Sequence, residues 1–193
     1  DKGTEICELV NRIEAAVSRG NNAVTLGIES PLYLPIPENS SGLSSGRNFE
    51  GQRSCFAPAG VNVTVIGLQQ LTFILSKVDR SLDFTLNYEK WSQRSKEILL
   101  WEAFVSNDAH TDEEIDIDDS VTAGVHFLES YYTNNFQELD ENREYKVFSI
   151  AEAALAWNNL DQGENDLRTP TLVIKPKESY LKKQQDDRIE LVT

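Results

Sequence analysis

The sequence predicts an α/β fold, a parallel-containing sheet covered by helices, on three observations. Two short, nearly continuous apolar runs, 23–29 and 98–105, have the composition of strands buried on both faces. Segments with apolar residues at helical spacing flank and separate them. The order helix, strand, loop, helix, strand, helix is that of crossover units, which lay parallel strands side by side.

The elements follow in order. Thr4 is placed as an N-cap, Glu5 and Glu8 follow it, and Ile6, Leu9, Val10, Ile13 and Val17 share one helical stripe that Gly20 ends. The first strand then runs through Ala23–Glu29 and stops at Ser30-Pro31, because proline has no N–H for a central ladder. Residues 32–60 read as irregular, with three prolines and a Ser/Gly-rich stretch that predicts a mobile loop at about 38–48. A helix is expected over Val63–Val78, a short strand over Leu82–Tyr88 and the second buried strand over Ile98–Val105. A helix over Ile115–Tyr132 carries Val121, Val125, Leu128 and Tyr132 on one apolar stripe. An Ala-rich helix over Ile150–Asn158 and a strand over Thr171–Ile174 complete a single domain, 1–176. The segment 177–193 reads as a polar tail.

The chain has 193 residues, enough for one sizeable core, with 39% hydrophobic and 26% charged residues as in ordinary globular domains. No apolar run approaches the roughly 18 residues needed to span a bilayer, and Asp1–Glu5 has neither the basic nor the apolar region of a signal peptide. The expectation is a cytoplasmic chain with no membrane association and with Cys7 and Cys55 as reduced thiols. Net charge is −14, and twelve carboxylates stand between Glu102 and Asn142 without a single Lys or Arg. Such a field repels phosphate backbones and disfavours nonspecific duplex DNA binding. For most of these residues the plain role is a solvated, solubilising face. No dinucleotide, P-loop, zinc or nucleophile-elbow signature is present.

The chemistry-bearing pattern is a set of carboxylates on buried elements. Glu29 and Glu102 each lie at or near the carboxyl end of an apolar strand, where ligands of open α/β sheets collect. A carboxylate buried there is costly unless something pairs with it. Asp118 and Asp119 open the following helix. Three carboxylates converging from three elements would suit Mg²⁺ or Mn²⁺, which can activate water for attack on a phosphodiester. The structural alternatives are specific. Glu29 could cap a helix or pair with Arg47 or Arg53, and Asp118 and Asp119 suit a helix N-terminus whatever the function. His110 and His126 read as a solvated and a tucked structural histidine, and the three tryptophans as core or interface residues.

Four segments carry a resemblance to a known family. Ile28-Glu29-Ser30-Pro31-Leu32-Tyr33-Leu34-Pro35 resembles an I-D-x-P-L-x-x-P signature, and Arg47–Arg53 resembles an R-x-x-[D/E]-x-x-R motif. Trp101-Glu102-Ala103-Phe104 is similar to an E-x-[Y/F]-P strand motif, and Asp119–Ala123 to a D-A-x-D-A helix start. In this order they resemble the predicted ribonuclease-H-like nucleases of bacteria and archaea, over about residues 4–175. The resemblance implies a ribonuclease-H-like mixed sheet with helices packed on it, and Glu29, Glu102 and Asp119 as catalytic metal ligands. Asp118 is the neighbouring candidate, favoured by the apolar stripe of its helix. Arg47, Glu50 and Arg53 would serve substrate, with the arginines contacting phosphate or bracing Glu50; the alternative for the two arginines is a surface salt-bridge cluster. The sequence departs from the pattern at Glu29, where the family carries Asp, at Val105 in place of Pro and at Thr122 in place of the second Asp. The family's opening β-hairpin strands, with their leading Asp, have no counterpart here.

Two functions follow. The first is a metal-dependent nuclease or phosphodiesterase that meets nucleic acid or another phosphodiester through Mg²⁺ or Mn²⁺. The second is a non-catalytic ribonuclease-H-fold scaffold or protein-binding module, for which Glu102→Gln should be neutral or stabilising because no metal balances the charges. An acidic module for a basic protein is a third, weaker reading. A sheet edge left open by absent strands would invite a homodimer.

Overall fold

The computed structural model describes residues 2–19, 24–47, 49–50, 54–93, 97–104, 113–133, 146–160 and 166–175; of 2–4 and 113–120 it describes the backbone. The fold is α/β, with parallel and antiparallel strands. Its elements are α1 (Lys2–Ser18), β1 (Val24–Ile28), β2 (Tyr33–Ile36), α2 (Pro58–Leu75), β3 (Asp83–Thr85), α3 (Tyr88–Gln93), β4 (Glu97–Ala103), α4 (Glu113–Thr133), β5 (Lys146–Ser149), α5 (Ile150–Trp157) and β6 (Leu172–Ile174), with a 3₁₀ turn at Ser40–Gly42.

The seven residues of β4 are all buried, and this strand is the axis of a four-stranded parallel sheet. β1 runs along one side of it, with Val24 opposite Ile98 and Ile28 opposite Glu102. Along the other side β3 pairs with the start of β4 and β6 with its end. Continuous apolar sequence is what a strand covered on both faces requires. Pleat alternation divides β4 between two cores. Ile98 and Leu100 join α1, α2 and α5 through Val10, Ile13, Leu71, Leu75 and Leu155. Leu99, Trp101 and Ala103 join α4 through Ala123 and Phe127, with Trp91 of α3. Trp101 stacks on Phe127, ring centroids 4.9 Å apart and planes 23° apart. On β1, Gly27 makes room for that indole: a Cβ there would come within 2.4 Å of the Trp101 ring.

Four elements differ from their sequence signals. The segment 32–60 is not wholly irregular, because β2 pairs antiparallel with β5. Pro35 faces Val147 in that ladder, at a position where a strand of a two-stranded ribbon needs no donor. α2 begins at Pro58 rather than Val63: proline is preorganised for the first helical position, and Ala57 before it makes no side-chain cap that would mark the start. In α4 the expected inward stripe is the outer one. Val121, Leu128 and Tyr132 are exposed, while Thr122, Ala123, Phe127 and Ser130 are buried. α2, finally, carries no charged residue in eighteen and has the length and mean hydropathy (1.3) of a helix able to cross a membrane, its apolar run being interrupted only by uncharged polar residues. It packs on the sheet through Leu71, Ile74 and Leu75. The tail 177–193 lies outside the described residues, and both cysteines are free, Cys7 exposed and Cys55 buried.

Candidate functional site

The two carboxylates at the strand ends differ in burial: Glu102 is buried within β4, and Glu29, one residue past β1, is exposed. Glu102 shares the face of Ile98 and Leu100, and its register partner is Ile28. Ser30, two residues on, meets α2 on that same face, its hydroxyl donating to the Val63 carbonyl at 3.2 Å. Glu29, between Ile28 and Ser30, lies in the bend that follows β1.

Glu102 is buried to 1% and paired. Arg47 lays its guanidinium across the carboxylate as a two-pronged fork: Nη1 donates to Oε2 and Nη2 to Oε1, each at 2.6 Å. The Leu32 amide donates to the same Oε2 at 3.0 Å. The other side of the guanidinium is held by Glu50, whose Oε1 accepts from Nε at 2.9 Å. Glu50 Oε2 in turn accepts from the backbone N–H groups of Arg47 (2.8 Å) and Cys55 (3.0 Å). The rings of Tyr33 and Phe49 both lie 4.7 Å from the guanidinium carbon. A planar cation of this shape is the group that can be buried between two carboxylates and two aromatic rings.

The electrostatics match this geometry. Burial works against the charge on Arg47, but the attraction of Glu102 and Glu50 more than offsets it and holds the guanidinium protonated far above its ordinary range. Burial pushes the Glu102 carboxyl above the usual carboxylate value, against the pull of Arg47 and the Leu32 amide. With two short charge-assisted bonds in place the pair is ionised at neutral pH; burial makes Glu102 the member that acid neutralises first. Burial, with Glu50 beside it, pushes the Cys55 thiol up to about 12, so it is inert as a nucleophile near neutral pH.

Of the predicted site residues, then, Arg47, Glu50 and Glu102 are brought into direct contact. Arg47 braces Glu50 as the resemblance implied, but in the interior rather than in a surface cluster. Asp118 and Asp119 lie in α4, and their side chains are outside the described residues. The stripe that favoured Asp118 is solvent-facing at Val121 and Leu128, whereas Ala123 and Phe127, one and two turns after Asp119, are buried. Arg53 and His110 also lie outside the described residues; His126 is half-buried. Among the described residues, no group of three His, Cys, Asp or Glu side chains is placed to hold a metal ion. Sequence reasoning missed the Arg47–Glu102 pair and its aromatic walls. Part of the signal was available: a costly carboxylate on a buried strand needs a partner, and Arg47 stands two residues from Phe49. Comparison with protein families, with curated proteins and with solved structures returns no match for this chain.

Proposed function

We propose that this chain is a non-catalytic α/β scaffold or protein-binding domain of ribonuclease-H-like type. One observation carries the reading: Glu102, the candidate ligand at the centre of the sheet, is neutralised by Arg47 rather than left for a cation. A carboxylate with two 2.6 Å bonds to a guanidinium and 1% exposure offers no lone pair to a metal unless Arg47 leaves. The exposure of Glu29, beside the burial of Glu102, supports the same view. The ribonuclease-H-like assignment rests on the motif order and on the parallel pairing of the two motif-bearing strands, β1 and β4.

The metal-dependent nuclease or phosphodiesterase is the second reading, supported by the motif order that singles out Glu29 and Asp119 beside Glu102. In it those two residues, with Glu102 released by Arg47, would hold Mg²⁺ or Mn²⁺. Calorimetric titration with Mn²⁺ of the unmodified chain, Glu102→Gln and Asp119→Asn separates the two. The scaffold reading expects no saturable heat from any of them. Saturable binding that both substitutions abolish would overturn it.

A further inference from the structure

Among the described residues, the outer face of α2 carries the most exposed large apolar side chains. Only Gly67, Leu71, Ile74 and Leu75 of its eighteen residues are buried. Val61, Val63, Val65, Ile66, Leu68 and Phe73 are exposed, Val65 to 61% and Ile66 to 52%. The buried stripe explains why the helix cannot turn this face inward. At Gly60 a Cβ would come within 2.3 Å of the Ser54 carbonyl oxygen, and at Gly67 within 2.0 Å of the Ser30 hydroxyl, so the helix is seated on its glycines and its branched residues point away. The exposed apolar surface continues onto α5. Asn158 Nδ2 donates to the Thr72 carbonyl at 3.2 Å and ties the end of α5 to α2, and the preceding residue, Trp157, is 80% exposed. Contiguous apolar faces of this size mark interaction sites, and exposed tryptophan is the residue most enriched at their centres.

We propose that this face is the interface of a homodimer, in which α2 of one chain packs against α2 of a second copy about a two-fold axis. Charge selects the occupant. α2 has no Lys, Arg, Asp or Glu in a chain of net charge −14, so the carboxylates that would repel a second copy are kept off this face. An uncharged, branched apolar ridge is complementary to another of its kind, as an isologous contact requires. The size suffices. Half the wall of an eighteen-residue helix is roughly 450 Å², so two facing helices approach the roughly 1,000 Å² at which an interface becomes specific. A lipid surface fits less well. An interfacial helix carries Lys and Arg along its polar side, and α2 has neither residue. The proposal does not depend on whether Glu102 meets a metal, since α2 contributes no residue to the Arg47–Glu102 pair.

The test is the mass of the full chain in solution, by sedimentation velocity from 1 to 100 µM (roughly the range of transient to stable association). A species of twice the 21.8 kDa chain mass is expected. Val65→Glu/Ile66→Glu should weaken association by about 100-fold or more and give the monomer, while Leu43→Glu, an exposed leucine in the loop before Arg47, should leave the dimer intact. Far-UV circular dichroism checks that the helices persist; if the Glu pair unfolds the chain, Val65→Gln/Ile66→Gln replaces it. A monomer at every concentration would overturn the proposal, as would a dimer indifferent to the α2 substitutions. A monomer that floats with phosphatidylcholine vesicles through Val65 and Ile66 would overturn it in favour of a membrane surface.

Discussion

Arg47→Met removes the cation and keeps much of the volume. It leaves Glu102, 1% exposed, with the Leu32 amide as its remaining bond, and strips Glu50 of its guanidinium partner. Breaking a buried pair by deleting one partner costs about 3–5 kcal/mol, because the other charge stays behind without compensation. Against a total stability of about 5–15 kcal/mol for a domain, that is about a fifth or more. With a urea slope of about 2 kcal/mol/M, the unfolding midpoint should fall by about 2 M. The double variant Arg47→Met/Glu102→Leu is the decisive companion. It removes both charges and leaves Glu50 with its two backbone donors, so it should be more stable than Arg47→Met alone. Urea unfolding followed by tryptophan fluorescence reads four midpoints: the unmodified chain, Arg47→Met, Glu102→Leu and the double variant. A cost below about 1 kcal/mol for Arg47→Met, or a double variant as unstable as the two single losses added, would refute the pairing. The same geometry corrects the expectation that Glu102→Gln is neutral: a neutral amide deprives the buried guanidinium of half its counter-charge, and destabilisation of about 1.5–3 kcal/mol is expected.

Two further substitutions probe the packing. Burial raises the Cys55 thiol from 9.0 to about 12, so between those pH values the unfolded chain releases a proton that the folded chain keeps. That contribution to stability is complete below pH 9 and is lost as pH rises toward 12, at about 1.4 kcal/mol per pH unit, and the difference in slope between the unmodified chain and Cys55→Ala in urea titrations at pH 9–11 measures it; equal slopes would mean that the thiol is not buried. Gly27→Ala presses a methyl into the Trp101 ring and should cost about 1–3 kcal/mol, with a change in the near-UV signal of Trp101, whereas an unchanged thermal midpoint would place that ring elsewhere.

The α/β class and the two central strands were legible because burial on both faces leaves an unmistakable apolar run; the observed β1 falls inside its expected segment, and β4 begins one residue before its own, at Glu97. β2 and β5 were not, for a physical reason: each is four residues long, and Pro35 argues against a strand until the partner is known to present Val147 opposite it. The start of α2 was hidden by Val61, Val63 and Val65, which alternate like a strand while lying on a helix. The orientation of α4 was misjudged because helical periodicity finds an apolar stripe without saying which way it faces. Val121, Leu128 and Tyr132 form such a stripe on the outside, and the inner one is built on Ala123, Phe127 and Ser130, of which two are small or polar.

The site was legible as a list and not as a circuit. Arg47, Glu50 and Glu102 could each be singled out, since charged residues beside aromatic and apolar ones are costly to place. Their pairing could not, because the Arg47–Glu102 contact spans 55 positions and depends on where the loop after β2 crosses the end of β4. Spacing suggested a cation among three carboxylates; the fold supplies the cation from the chain itself. A fixed guanidinium satisfies both lobes of Glu102, one edge of Glu50 and two ring faces at once, whereas a hydrated Mg²⁺ would demand a near-octahedral shell of oxygens that Tyr33 and Phe49 cannot provide. The aromatic walls therefore argue that this pocket is shaped for arginine, and that Arg47→Lys would not rescue it. Lysine would bring the charge without the plane, and its unfolding midpoint should lie closer to that of Arg47→Met than to that of the unmodified chain.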